Sequence, residues 1–345
     1  MRSIGPLTHN PRNVVTRSIE RVGEDGSTWV RKRLSGRNPP DAPGEWRASS
    51  APRHWNYWRR EALVYRSGLG ELLDGTGVRL PEVLEVIDID AHTVELRLED
   101  VDGRSGAELQ SADYLRVCHA WGYAQARLSR TDLLDEPWTS RRFVRRYVQS
   151  KPVRADDLKN PWLWRQPLIV DNWSADLQPR LIRMWERQEA LFEILEAAHQ
   201  APSHLDFWPN NVFVDVSGVV VLLDWAFFGA GAYGEDVGNF IPDAVFDGFM
   251  PSSQLPRASE QMIHGYIEGL AAGGCRQSVQ SVWRNVRASA VKYVWLGPLL
   301  LRRAAGGAQQ AYGGDVLIEA NEQYRERGRT LEFLCAWAEQ ALSDG

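Results

Sequence analysis

The chain has 345 residues, and its 45 acidic and 40 basic side chains give a formal net charge of −5. This length suffices for two lobes with separate hydrophobic cores, and the slight acidic excess lacks the basic character of a nucleic-acid-binding protein. Apolar runs too short to cross a bilayer, no apolar signal core, and three scattered cysteines without metal-ligand spacing predict a cytoplasmic protein without a membrane partner.

The chain begins with a predicted pair of strands, residues 13–22 and 28–34, around a glycine-containing turn. In the second strand, Lys32 shares a face with Val30 and Leu34, so it points in the same direction as apolar residues. Only four of the 40 basic residues are lysines, which makes each lysine a candidate for a specific role. A solvated charge at a sheet edge is the alternative for Lys32.

A helix is predicted for residues 54–67, because apolar residues recur on one stripe and Gly68 stands in a position that favours a helix end. Glu61 flanks this stripe and can serve as the buried partner of a cation. A surface pair with Arg60 or Arg66 is the alternative for this carboxylate.

Two more strands are predicted at residues 81–86 and 93–101. Glycines at 103 and 106 then mark a boundary, so we expect an amino-terminal lobe of residues 1–103 and a carboxy-terminal lobe of residues 104–345. Helical periodicity dominates the second lobe. Its predicted helices include residues 114–129, residues 177–200 and a last helix from about residue 316.

An insertion at residues 135–174 contains four tryptophans and a helical cluster of arginines. Arginines that recur at helical spacing opposite apolar residues are typical of a solvated helix face. A site that binds an anionic substrate is the alternative. The cluster consists of Arg141, Arg142, Arg145 and Arg146.

The most informative stretch places Asp206, Asn211 and Asp224 around a predicted hairpin of residues 212–216 and 219–223. A tight hairpin returns its two ends to one place, so Asn211 and Asp224 are expected side by side, with Asp206 on the loop before them. Two oxygen ligands beside a cavity can hold Mg²⁺, and a neighbouring free carboxylate can receive a hydroxyl proton. Phosphoryl transfer requires mainly this positioning and charge neutralisation.

The pattern His-x-Asp-x-x-x-x-Asn from His204 to Asn211, with Asp224-Trp225 after the hairpin, resembles the catalytic and metal loops of protein-kinase-like proteins. Within that group it resembles the aminoglycoside phosphotransferase and choline kinase families, where the metal Asp is followed by Trp. The resemblance implies an α+β, bilobal fold. The small amino-terminal lobe would be rich in β-strands, and the larger carboxy-terminal lobe would be mainly helical.

The resemblance also implies roles for individual residues. Asp206 is expected to accept the proton of the acceptor hydroxyl, and Asn211 and Asp224 are expected to hold Mg²⁺. Lys32 would hold the α- and β-phosphates of ATP. Glu61, which stands in the family pattern Arg-Glu-Ala, would hold Lys32 in place.

Supporting roles are implied as well. The main chain from Glu99 to Val101 resembles the hinge that hydrogen-bonds adenine, and His204 is expected to fix the catalytic loop. Asp236 resembles the carboxylate that braces this loop, with an ordinary helix N-cap as its alternative. The turn at residues 8–13 stands where such kinases cover the phosphates, but it contains no glycine.

These features together predict a Mg²⁺- and ATP-dependent kinase that transfers the γ-phosphoryl group to a hydroxyl of a small molecule. An antibiotic is one candidate acceptor, in resistance or self-protection. The alternatives are a metabolic kinase for choline, homoserine or a sugar, and a non-catalytic pseudokinase that acts as a binding module. A protein kinase is disfavoured by Asp224-Trp225.

Overall fold

The computed structural model describes residues 2–7, 9–24, 26–306 and 319–344. The strands of these residues form a five-stranded sheet in the order β1-β2-β3-β6-β5, a four-stranded sheet in the order β4-β10-β9-β7 and a β8–β11 pair. Their bounds are β1 Arg2–Pro6, β2 Thr16–Glu24, β3 Ser27–Ser35, β4 Val78–Arg79, β5 Val83–Asp90, β6 Thr93–Glu99, β7 Gly103–Ser105, β8 Gln200–Ser203, β9 Val212–Asp215, β10 Val220–Leu222 and β11 Gly229–Ala232.

Helices make up most of the remaining structure. The α-helices are α1 Arg60–Arg66, α2 Leu69–Leu73, α3 Ser111–Leu128, α4 Phe143–Gln149, α5 Pro161–Trp164, α6 Pro167–Val170, α7 Leu177–Glu186, α8 Gln188–Ala197, α9 Glu235–Phe246, α10 Leu255–Ala272, α11 Val279–Ala288, α12 Leu296–Gly306 and α13 Ala320–Ser343. Short 3-10 helices lie at Gly44–Trp46, Gly106–Glu108, Asp132–Asp135, Ala155–Lys159, Pro209–Asn211, Ser252–Gln254 and Ser289–Tyr293. The β-rich amino-terminal lobe and the helical remainder confirm the predicted α+β, bilobal fold.

The amino-terminal sheet is antiparallel and places Lys32 in its centre. Lys32 lies opposite Ile19 of β2 and Leu96 of β6. Leu34 and Leu96 are fully buried, and the Lys32 side chain is buried with them. The period of two that was visible in the sequence therefore predicts the inward face of β3 correctly. β1 adds an edge strand that the sequence analysis did not predict.

The helix expected at residues 54–67 is shorter than predicted and begins at Arg60. Turns and an isolated bridge from Tyr57 to Ser49 occupy residues 54–59, because the buried side chain of Asn56 donates hydrogen bonds to the carbonyl oxygens of Trp46 and Arg47. A chain anchored in this way satisfies backbone acceptors of a neighbouring loop and does not extend the helix.

The prediction of a single helix at residues 177–200 is also wrong. The chain leaves helical geometry at Arg187, where φ is −101° and ψ is 7°, and continues as α8 and then β8. α7 packs mainly on α13, whereas α8 packs mainly on α11 and on the 3-10 helix Ser289–Tyr293, so the main partners of the two halves differ although both contact α13. The predicted last helix is present as α13, and its expected start at residue 316 lies outside the described residues.

Short strands join the catalytic hairpin to the segments between the two lobes. β4 pairs in parallel with β10, and β7 pairs with β9. At Gly106 a Cβ atom would lie 1.8 Å from the carbonyl oxygen of Pro209, so only glycine fits between this connection and the catalytic loop. The connection near residue 103, where the sequence predicts the lobe boundary, therefore lies directly beside the loop that carries Asp206. Among the described residues, no helix combines the length and apolar character needed to cross a membrane.

Candidate active site

The loop between β8 and the hairpin is held by one buried carboxylate. Asp236, in the first turn of α9, accepts hydrogen bonds from the backbone N–H groups of His204 (3.0 Å) and Leu205 (2.8 Å) and from the indole of Trp121 (3.0 Å). Leu205 has φ of 65°, a left-handed conformation that is costly for a residue with a Cβ. The Asp236 carboxylate is positioned to offset that cost, and its oxygens bind this loop.

His204 links the catalytic loop to the end of the hairpin. Its Nε2 lies 2.9 Å from the carbonyl oxygen of Leu223, and its Nδ1 accepts the backbone N–H of Asp206 at 3.3 Å. These two contacts require the tautomer with the proton on Nε2. Burial lowers the pKa of His204 to about 4, so the ring is neutral near pH 7 and serves to hold the loop.

Asn211 is positioned by the loop and in turn positions Asp206. Its amide nitrogen donates to the backbone oxygen of Asp206 at 2.9 Å and to Oδ2 of the same residue at 3.0 Å. Burial, followed by the nearby charge of Asp224, raises the pKa of Asp206 to about 7. A carboxylate in this state is better matched to proton transfer near neutrality than an ordinary aspartate is.

Lys32 joins the two lobes through an ion-pair network. Its Nζ lies 2.7 Å from Oε2 of Glu61 and 3.0 Å from Oδ1 of Asp224. Burial alone would lower the pKa of Lys32, but the charges of Asp224 and Glu61 outweigh it and raise this pKa. Burial raises the pKa of Glu61 to about 7, while Lys32 opposes the shift. The predicted partner of Lys32 is therefore in contact with it.

Asn211 and Asp224 stand next to each other, as the hairpin predicts. The backbone N–H of Leu223 donates to the carbonyl oxygen of Asn211 at 2.9 Å. Asp224 has φ of 56°, and a third of its side chain is exposed. The described residues contain no cluster of three or more His, Cys, Asp or Glu side chains suited to a metal ion. One carboxylate and one amide oxygen fit Mg²⁺, which takes few protein ligands when substrate phosphates supply the others.

The predicted adenine hinge is tied to the hairpin. The backbone N–H of Glu99 donates to the carbonyl oxygen of Glu82 at 2.8 Å, so that donor is already used within the sheet. The Glu99 carboxylate binds Arg79 at 2.6 Å, and Arg79 also lies 3.1 Å from Asp215. Val101, which is half-buried, follows directly in the connection between the lobes. The adenine contacts proposed for Glu99 and Val101 stay predictions.

The segment expected to cover the phosphates is only partly within the described residues. Thr8 lies outside them. The side-chain oxygen of Asn10 accepts the backbone N–H of Arg12, and that of Asn13 accepts the backbone N–H of Val15. Both amides therefore stabilise their own turn.

The arginine cluster of the insertion is paired within the protein. Arg145 forms ion pairs with Glu189 and Glu196, and Arg142 lies 3.5 Å from Glu196. A cavity of about 210 Å³ lies beside these side chains, and another of about 560 Å³ lies between α8 and α11. Neither is lined by Asp206, Asn211 or Asp224, so these cavities are separate from the candidate site.

Two further lysines near the catalytic loop were not assigned a role from the sequence. Lys151 and Lys292 are both buried. The charge of Lys292 lowers the pKa of Asp206 and of His204, and the charge of Asp206 raises the pKa of Lys151. Lys292 also lies 3.7 Å from Asp243 of α9. The sequence signal that could have identified these two residues is the scarcity of lysine. In the structure only Lys159 of the four lysines is exposed.

The comparisons with known proteins agree with this geometry. The family model described as the phosphotransferase enzyme family matches residues 22–274, which is most of the chain. The chain belongs to this phosphotransferase family. The matched range includes all the residues to which we assign site roles, from Lys32 to Asp236. The comparison with curated proteins gives no match.

Two solved structures have folds similar to that of this chain. An amicoumacin kinase in complex with AMP-PNP and Ca²⁺ is 11% identical, with 95% of this chain and 89% of that chain covered and a TM-score of 0.55. An aminoglycoside phosphotransferase from Alicyclobacillus acidocaldarius is 18% identical, with 99% and 94% covered and a TM-score of 0.55. At these identities the likeness is one of fold.

Proposed function

We propose that the protein is a small-molecule kinase that transfers the γ-phosphoryl group of ATP to a hydroxyl of its acceptor, with Mg²⁺ as the divalent cation. The observation that carries this proposal is the network in which Lys32 contacts Glu61 and Asp224 while Asp206 is held by Asn211. Membership of the phosphotransferase family supports the reaction type.

Each residue of the network has a distinct task in this proposal. Lys32, held by Glu61, binds the α- and β-phosphates of the nucleotide. Asp206 orients the acceptor hydroxyl and accepts its proton, and His204 and Asp236 keep the loop that carries Asp206 in place. Because the transition state of phosphoryl transfer requires little covalent help from the protein, such positioning supplies most of the catalysis.

Mg²⁺ would be held by the carboxylate of Asp224 and the amide oxygen of Asn211. When bound there it neutralises charge on the β- and γ-phosphate oxygens. The donor set contains oxygen and no sulfur or imidazole, which favours Mg²⁺ over softer transition metals.

Two measurements test the proposal: ADP release by the wild-type protein, and the kcat of a variant in which Asp206 is replaced. The purified chain with Mg²⁺ and ATP should release ADP, faster when a hydroxylated acceptor is added from a panel of antibiotics, choline, homoserine and sugars. Mass spectrometry should then find one added phosphoryl group on the acceptor. Asp206→Asn should lower kcat by about 100- to 10,000-fold while AMP-PNP still binds, because general-base catalysis has this size.

Asp171→Asn is the matched control, since Asp171 is exposed on the surface of the insertion and should leave kcat unchanged. If Asp206→Asn keeps near-normal kcat at saturating acceptor, the assignment of the base is wrong. If the wild-type protein binds AMP-PNP but never releases ADP, the pseudokinase reading is correct.

A further inference from the structure

Lys151 is enclosed by four aromatic rings. Its Nζ lies 3.5 Å from the ring centroid of Tyr147, 4.0 Å from that of Trp46, 5.3 Å from that of Trp295 and 5.5 Å from that of Trp55. The rings also contact each other, with centroids 5.5–6.3 Å apart. We call this group the aromatic box. The box joins three segments of the chain: the connection from β3 to α1, helix α4 and the start of α12.

Two hydrogen-bond donors of the aromatic box lack an acceptor. Within the described part of the chain, neither Nζ of Lys151 nor Nε1 of Trp295 has a hydrogen-bonding partner, and both atoms are buried. Aromatic faces attract a cation and accept only weak N–H···π hydrogen bonds, which replace a conventional acceptor only in part. Two buried donors at one place are satisfied together only by a group that accepts hydrogen bonds.

The contacts of Trp55 place the aromatic box beside the segment that follows Asp224: its ring centroid lies 5.6 Å from that of Phe227, and Arg60 donates to the carbonyl oxygens of both Trp55 (2.8 Å) and Ala226 (3.0 Å). Burial lowers the pKa of Lys151 to about 6. Against this, Glu45 and Asp206 raise it, while Lys292 and Arg12 lower it further. Glu45 is already paired with Arg12. The lysine thus has a carboxylate within electrostatic reach but none in contact.

The two lysines considered near Asp206 therefore differ in how their charge is neutralised. On the nucleotide side, the ammonium of Lys32 is neutralised by Glu61 and Asp224. On the other side, Lys151 comes from the insertion of the carboxy-terminal lobe. A buried amine without a counter-ion holds its proton weakly, and an anion that binds next to it would favour the protonated form, which makes this amine a candidate binding partner for an anion.

We propose that the aromatic box is an acceptor-binding subsite in which Lys151 and Trp295 bind anionic oxygens, a carboxylate or a phosphate group, on the acceptor molecule. This inference rests on the proposed kinase function and names its substrate class: a hydroxylated small molecule that carries a negative charge. A polycationic acceptor whose charged groups are all amines would offer no anionic oxygen to these two donors.

A matched set of probes tests the substrate class without knowledge of the natural acceptor. D-Glycerate, glycerol 3-phosphate and glycerol share one hydroxylated three-carbon frame that carries a carboxylate, a phosphate or no charge. Binding to the full chain with Mg²⁺ and AMP-PNP is followed by tryptophan fluorescence, since three of the four rings of the box are indoles. We expect at least one of the two anions to bind the wild-type protein about 10- to 100-fold more tightly than glycerol, as charge-assisted hydrogen bonds imply.

Variants of the protein identify the residue that causes the preference for the anion. Lys151→Met fills the box with an apolar side chain of similar length and should abolish the preference for the anion. Lys151→Arg should retain part of it, and Lys159→Met, which removes an exposed lysine paired with Glu186, should retain all of it. A thermal unfolding curve of each variant shows that the protein is folded.

Three results would overturn the inference. The first is a wild-type protein that binds neither anion more tightly than glycerol. The second is a folded Lys151→Met variant that keeps the preference for the anion, because the orphaned donors then bind only water. The third is a loss of AMP-PNP affinity in Lys151→Met without a loss of ADP affinity, which would assign the lysine to the γ-phosphate. Failure of the kinase proposal is a separate result, since the wild-type protein would then release no ADP from ATP with any acceptor, whatever its preference among the three probes.

Discussion

Lys32 and Lys151 are both buried lysines near Asp206, and they are stabilised in opposite ways. Lys32 contacts two carboxylates at 2.7 and 3.0 Å, and these charges raise its pKa. Lys151 contacts aromatic rings, and burial lowers its pKa to about 6. We infer from this comparison that Lys32, whose carboxylate partners are in contact, is preorganised for the proposed nucleotide, and that Lys151, which has no anionic partner in contact, is available to a ligand.

The largest expected difference is in stability when each lysine is replaced by methionine. Lys32→Met leaves Glu61 buried without its counter-ion, so the free energy of unfolding should fall by about 3–5 kcal/mol, the usual cost of breaking a buried pair. The loss should be smaller at pH 5, because the raised pKa of Glu61 allows this carboxyl group to be neutral there. Urea unfolding at pH 5 and pH 7.5 measures both values. An unchanged unfolding midpoint at pH 7.5 would contradict the ion-pair description.

The same replacement at Lys151 should have the opposite or no effect. Lys151→Met removes an unpaired buried amine and keeps the contacts with the rings, including favourable sulfur–aromatic contacts. The free energy of unfolding should stay within about 0.5 kcal/mol of the wild type or increase. Lys159→Met provides the surface reference in the same urea series. A clear loss of stability in Lys151→Met would show that the lysine is a structural element of the box.

The most specific effect is a change in pH dependence. The pKa of Lys151 is about 6 in the folded protein and about 10.4 in an unfolded chain, so between these values only the unfolded chain binds the proton. This group therefore makes the free energy of unfolding increase with pH from about 6 towards 10. The stability of Lys151→Met relative to wild type should be highest near pH 6 and decline towards pH 10. Parallel curves for the two proteins would contradict the lowered pKa.

Local patterns were sufficient to predict much of the catalytic loop. Asp206 and Asn211 lie five positions apart on one loop, and a hairpin of two short strands returns the chain to Asp224, so backbone geometry alone brings these residues together. The inward face of β3 followed from alternation for the same reason. The contact of Lys32 with Glu61 was implied by the family resemblance, since a strand and a helix that are far apart in sequence do not by themselves determine how they pack.

Other features depended on contacts that no local pattern contains. The helix expected at residues 177–200 breaks at Arg187 because α7 and α8 pack on different main partners. The helix expected from residue 54 starts at Arg60 because Asn56 binds the loop at residues 46–47. In both cases tertiary hydrogen bonds and packing overrode helical periodicity, which describes only neighbours within one turn.

From the sequence alone, alternation gave the inward direction of Lys32 and the hairpin gave the proximity of Asn211 and Asp224, because both depend on short-range spacing, while the family resemblance implied the kinase-like fold class. The scarcity of lysine also identified Lys151 as a residue worth explaining. Only the tertiary structure decided what surrounds it, since the rings of the aromatic box come from positions 46, 55, 147 and 295. Burial and charge pairing arise only when distant segments pack together in the folded protein. These two properties distinguish Lys32 from Lys151.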